Sequence, residues 1–112
     1  MSRKKYFAKR LLKGKFYYHA DTKGGHPAYL YKKKDNKNMY FVILFSTSYR
    51  YGRRKLKKSI EPGRNKESYA TENPSIVKRR ELSSKELTRL RIHKVDKPTI
   101  EVIKRKKWST DS

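Results

Sequence analysis

The sequence predicts a mainly β domain: a small, strongly curved barrel of short strands, with short helices and one helix at its C-terminal end. Three observations carry that prediction. Short runs rich in β-branched and aromatic residues recur over the first two thirds of the chain, Gly, Pro, Asn and Asp turn signals separate them, and helix-like apolar spacing is confined to the last third. At 112 residues the chain is sized for one domain. It divides into a basic arm or short helix over 1–13, a single barrel domain over 14–107 and a tail over 108–112.

From Ser2 to Lys13, six basic residues surround Tyr6, Phe7, Leu11 and Leu12. Phe7 and Leu11 form an i,i+4 pair, so the segment is either a short helix ended by Gly14 or a basic arm, since helices this short are marginal in water. Phe16-Tyr17-Tyr18-His19 has strong β propensity, and Lys23-Gly24-Gly25 follows as a turn. Pro27 holds His26 in extended geometry and opens a second strand through Ala28-Tyr29-Leu30-Tyr31. Asp35-Asn36-Lys37-Asn38 is a turn by composition. The unbroken apolar run from Met39 to Phe45 then reads as the central, buried strand.

Between Tyr49 and Glu61 lie six basic residues on a strand or a long loop, closed by a Pro62-Gly63-Arg64-Asn65 turn. Ser68–Thr71 and Ser75–Lys78 read as two further strands divided by Asn73-Pro74, which brings the count to about five or six. Leu82 to Leu87 carries a capping-box spacing, Ser83 with Glu86, and predicts a brief helix. Asp96 is placed to cap a last helix that has Pro98 in its first turn. Val95, Thr99, Val102 and Ile103 would share its buried face, and it would run to about Lys107.

Charge is the strongest functional signal. Thirty-two Lys and Arg against ten Asp and Glu leave a formal net charge of +22, which predicts a polyanionic partner, nucleic acid first. A merely Lys-rich composition would enrich Glu as well, and only six Glu are present. No apolar run is long enough to span a bilayer and no signal-peptide pattern is visible, so the expected setting is cytoplasmic, with no membrane partner. Cys is absent and the three His, at 19, 26 and 93, are scattered, so neither a metal nor another cofactor is expected. Nine Tyr, four Phe and Trp108 offer faces for unpaired bases. The best patch interleaves aromatic and guanidinium planes at Tyr49, Arg50, Tyr51, Arg53 and Arg54 and continues into Lys55, Lys57 and Lys58. Within each of the pairs Tyr29/Tyr31 and Tyr49/Tyr51, the two members are spaced to share one strand face.

Two segments together resemble the PemK/MazF family of toxin ribonucleases: Gly24-Gly25-His26-Pro27-Ala28-Tyr29-Leu30-Tyr31, and Phe45-Ser46-Thr47-Ser48 at the end of the central strand. In that family a Gly-Gly-x-Arg-Pro turn leads into a hydrophobic strand and the next strand ends in a Pro-Ile-Thr-Ser type motif. Ser75–Lys78 with Glu81-Leu82 fits the place of the third conserved strand, and the resemblance covers roughly 14–107. It implies an SH3-like barrel, often a homodimer, that cuts single-stranded RNA without a metal and takes an acidic antitoxin as partner. His26 stands where the family has Arg, and Thr47 stands on the family's Thr. A 2′-hydroxyl must lose a proton and a crowded phosphorane needs donors aimed at its charge, so His26 would act as general acid or base, although it cannot replace a bidentate guanidinium. Three functions follow, in order of expectation. They are a nucleic-acid-binding module without catalysis, RNA before DNA; a metal-independent endoribonuclease using His26 and Thr47; and a structural component of a ribonucleoprotein.

Overall fold

The computed structural model describes residues 11–20, 25–34 and 38–107. Residues 1–10 of the arm or short helix expected over 1–13, Lys23-Gly24 of the first turn, Asp35 to Lys37 and the tail over 108–112 lie outside the described residues. Among the described residues seven strands run in the order β1 (Lys15–His19), β2 (His26–Lys34), β3 (Met39–Ser46), β4 (Arg53–Lys55), β5 (Tyr69–Thr71), β6 (Ser75–Lys78) and β7 (Leu82–Glu86), followed by α1 (Lys97–Lys104). Short 3-10 turns at Arg79–Glu81 and Lys94–Asp96 precede β7 and α1.

The apolar run does form the central strand. One edge of β3 pairs antiparallel with β2, from Ala28↔Leu44 to Lys34↔Met39. Its other edge is shared: β6 covers Met39 to Val42, and β5 covers Phe45 and Ser46. Buried Pro74 lies between β5 and β6 and, having no N–H to donate, divides what would otherwise be one long strand. Alternation along β3 explains why the run is unbroken. Tyr40 and Val42 enter a core with Leu11, Tyr17, Ala28, Leu30, Val77 and Leu82, whereas Ile43 and Phe45 enter a second core with Phe16, Leu56, Ile60, Leu90, Ile100 and Ile103.

The fold is mainly β with a C-terminal helix, but the seven antiparallel strands make one sheet that is not closed into a barrel. Its order is β4-β5-β3-β2-β1-β7, with β6 also on β3. Among the described residues no ladder joins β6 to β7. The chain crosses there through the 79–81 turn, where the buried Arg79 donates from Nη1 to the Leu82 carbonyl (3.2 Å) and from Nη2 to Ser84 Oγ (3.0 Å).

Local expectations are corrected at two places, Leu82 to Leu87 and the last helix. The brief helix over Leu82 to Leu87 is β7, paired with β1 through Tyr17↔Glu86 and His19↔Leu82. Ser83 Oγ, expected to cap that helix, accepts instead from the Tyr18 backbone N–H at 2.9 Å. A one-turn helical preference is worth little beside the ladder that satisfies an otherwise unpaired β1 edge. In α1 the buried residues are Ile100 and Ile103, while Val95 and Val102 stay about 40% exposed, at 40% and 43%. Val95 belongs to the preceding 3-10 turn, so it cannot extend the helical stripe, and the helix ends at Lys104 with Arg105 as its cap rather than near Lys107. Pro98 does open the first turn. Asp96 precedes the helix without capping it.

Candidate nucleic-acid interface

The carboxylate of Asp96, 1% exposed, accepts hydrogen bonds from the backbone N–H groups of Lys57 (2.8 Å) and Lys58 (2.9 Å). It ties the segment after β4 to the start of α1. Leu56 and Ile60 are buried in the second core on either side of those two lysines, the Ile60 N–H donates to Ser68 Oγ (3.0 Å), and the Arg91 N–H donates to the Ile60 carbonyl (2.8 Å). The backbone is anchored inward at Leu56 and Ile60, and the Lys57 and Lys58 side chains are left in solvent.

Beside this segment lies a groove of about 380 Å³. Phe45, Ile60, Leu87 and Leu90 supply its apolar lining, and His26, Thr47, Arg64, Lys66 and Arg89 are among its polar borders. Gly25 shapes one wall. Its φ of 86° suits glycine, and a Cβ there would run into the Tyr18 ring, so the chain turns tightly against Tyr18 as it enters β2. On the facing wall Glu61 bridges two arginines, Oε1 to Arg64 Nη1 (3.2 Å) and Oε2 to Arg89 Nε (3.1 Å). Loss of solvation works against its charge, but the hydrogen bonds from Arg89 and Arg64 outweigh that and hold the Glu61 carboxyl below the usual carboxylate range.

Two smaller concavities adjoin the groove. One, of about 250 Å³, is bordered by Lys55, Lys57, Lys58 and Lys66; the other, of about 220 Å³, by Lys58, Arg64, Arg91 and His93. Ser59 and Arg64 border all three, so the hollows form one basic track. Every described carboxylate is already engaged: Glu61 as above, Glu67 by Lys55 (2.7 Å), Glu72 by Lys106, Glu86 by Lys15 and Glu101 by Lys104, with Glu81 and Asp96 taken by backbone N–H groups. Among the described residues Lys57, Lys58, Lys66 and Arg91 make no ion pair.

The predicted site residues separate into three groups. His26 and Thr47 border the same groove, as their motifs suggested. His26 lies opposite His19 in the β1–β2 register and has the strand parity of Ala28 and Leu30, which face the first core. Lys57 and Lys58 sit on the track, and Lys55 borders it while paired to Glu67. Tyr49, Arg50 and Tyr51 lie on the β3–β4 connection, so the Tyr49/Tyr51 pair does not share a strand face; β4 begins only at Arg53. Tyr49 packs edge-on to Tyr69 with centroids 5.9 Å apart. Arg53 turns inward: its Nη1 donates to Ser46 Oγ and to the Ser48 carbonyl, both at 2.9 Å, and lost solvation with Arg50 nearby lowers its pKa. Arg54 is exposed on β4.

Tyr29 and Tyr31 do share a face, but it is structural. Both pack against the second core beneath Lys104, whose Nζ is 5.7 and 5.8 Å from their centroids, and burial pushes the Tyr31 hydroxyl up to about 12. The sequence reading missed Arg64, Lys66, Arg89 and Arg91. A basic residue inside the Pro62-Gly63-Arg64-Asn65 turn was a usable signal, whereas the Glu61–Arg89 contact joins residues 28 apart and had none. Comparison with protein-family models, with curated proteins and with solved structures finds no match for this chain, so its function has to be argued from these residues.

Proposed function

We propose that this protein binds single-stranded nucleic acid, RNA before DNA, through the basic track that converges on Ser59 and Arg64. The observation that carries the reading is that three concavities sharing Ser59 and Arg64 are bordered by Lys57, Lys58, Lys66 and Arg91, which make no ion pair among the described residues, in a chain of net charge +22. Phosphates would lie along Lys57, Lys58, Lys66 and Arg91. A base would lie against the apolar lining of the groove. RNA precedes DNA because the motifs around His26 and Thr47 resemble a family of ribonucleases. The setting proposed with it is cytoplasmic; among the described residues no helix is long and apolar enough to cross a membrane.

Anisotropy with labelled single-stranded RNA tests this directly. Affinity is expected to fall at least tenfold between about 50 and 200 mM salt, because each phosphate contact releases condensed counterions. Lys57→Gln with Lys58→Gln should lower the logarithmic salt slope by about two and weaken binding to all sequences alike. A flat salt response in the wild type would remove the proposal.

A second reading is a metal-independent endoribonuclease, favoured by the shared groove of His26 and Thr47 and disfavoured by the core-facing parity of His26. Cleavage of single-stranded RNA in EDTA, abolished by Thr47→Ala with binding kept within a few fold, would establish it.

A further inference from the structure

The β3–β4 connection pairs a hydrogen-bonded backbone with an almost wholly exposed aromatic ring. Residues 46–53 are held at both ends by β5, through Ser46↔Tyr69 and Arg53↔Thr71. Inside the connection the Ser48 N–H donates to Ser46 Oγ (3.2 Å), the Arg53 N–H to the Arg50 carbonyl (3.0 Å), and the Arg53 guanidinium spans Ser46 and Ser48. The Glu72 N–H donates to the Gly52 carbonyl at 2.9 Å, and Gly52, at φ 86°, makes the left-handed step that closes the turn. Tyr49 spends one edge on Tyr69. Tyr51, at the tip, is 99% exposed.

Arg50 and Arg54 flank the tip, exposed and with no carboxylate beside them among the described residues. The tip therefore offers an exposed aromatic ring with one exposed cation beside it in the chain, Arg50, and another at the start of β4, Arg54, on a hydrogen-bonded backbone. Tyr51 itself buries nothing, so its own ring does not serve the fold. The arrangement suits a group that must meet a flat partner carrying adjacent negative charge.

Resting on the nucleic-acid reading above, the geometry points to Tyr51 as a stacking finger for an unpaired base, with Arg50 and Arg54 on the phosphates to either side. This names the substrate class for the whole interface. A single strand offers its base faces at little cost, whereas a duplex must be unstacked by a few kcal/mol per step before a ring can enter. Tyr51 is thus the residue that separates single strands from duplexes, while the lysine track binds either.

The test measures the full-length protein and its Tyr51→Ala, Tyr51→Phe and Tyr51→Trp variants on a short single-stranded RNA, on the matched duplex and on phosphatidylserine vesicles. A 2-aminopurine in the single strand reports stacking. Tyr51→Ala should weaken single-strand binding about 5- to 100-fold, leave duplex binding within about twofold and abolish the 2-aminopurine quenching. Tyr51→Phe and Tyr51→Trp should keep all three wild-type properties. Equal losses on single strand and duplex, no loss on either, or a loss confined to vesicles would overturn the stacking role while salt-dependent RNA binding by the wild type stands. Failure of the wild type to bind RNA at low salt would overturn both.

Discussion

Two basic segments flank β4 and are built in opposite ways. The 56–68 segment sends Leu56 and Ile60 into the second core and is tied to α1 by a buried carboxylate, so its cations ride on apolar anchors. The 46–53 connection contributes nothing to either core; serine hydroxyls, an inward arginine and a glycine hold it instead. The first arrangement ties charge placement to global stability. The second lets a recognition loop be fixed without involving the core. On the proposed function, electrostatic binding and aromatic stacking can therefore be altered separately in this molecule.

Substitutions at the anchors should divide along that line. Leu56→Ala is expected to have the largest effect, about 2–5 kcal/mol by denaturant unfolding, because it removes a buried side chain from a core with little to spare. Asp96→Ala should cost roughly 1–3 kcal/mol by leaving two backbone donors without their acceptor, and should weaken RNA binding through the displaced Lys57 and Lys58. If RNA affinity is unchanged in folded Asp96→Ala, the track does not depend on its tether. Ser46→Ala should cost only about 0.5–1.5 kcal/mol, yet it should raise backbone exchange in 46–53 and reduce any preference for single strands. A drop in duplex affinity of the same size would erase the contrast between the segments.

The smallest effect concerns pH. The Glu61 carboxyl is held below its ordinary value in the folded protein, so its bridge to Arg64 and Arg89 stabilises above the unfolded carboxylate pKa and is lost as pH falls through the folded one. Binding should move the other way. As Glu61 is protonated the two arginines are released to phosphate, and Glu61→Gln should reproduce at neutral pH whatever gain in RNA affinity acidification brings. A loss of affinity in Glu61→Gln would show instead that Glu61 aims the arginines.

Much of this was legible because it depends on neighbours in the chain. The Met39 to Phe45 run could only be a strand covered on both faces, Pro98 marked the opening of a helix, and Gly25 before His26-Pro27 marked a turn into β2. The candidate groove was half legible: His26 and Thr47 were named from their motifs, while its arginines were not. Where local signals were short they misled, as at Ser83 and Glu86, whose helical spacing yielded to pairing with β1.

What the sequence determined by itself is the sign and size of the charge, the central strand, and the tyrosine and arginine content of the 46–53 connection. Only the tertiary structure decided which polar groups are spent on the fold and which are left for a ligand. Asp96 looks like a helix cap until Lys57 and Lys58, 39 and 38 residues away, take its two oxygens. Arg53 looks as available as Arg54 until Ser46 and Ser48 claim its guanidinium. The reason is physical: an apolar run must be buried somewhere, and its period says how, whereas a charged group is satisfied by whichever partner the folded chain brings within about 3 Å.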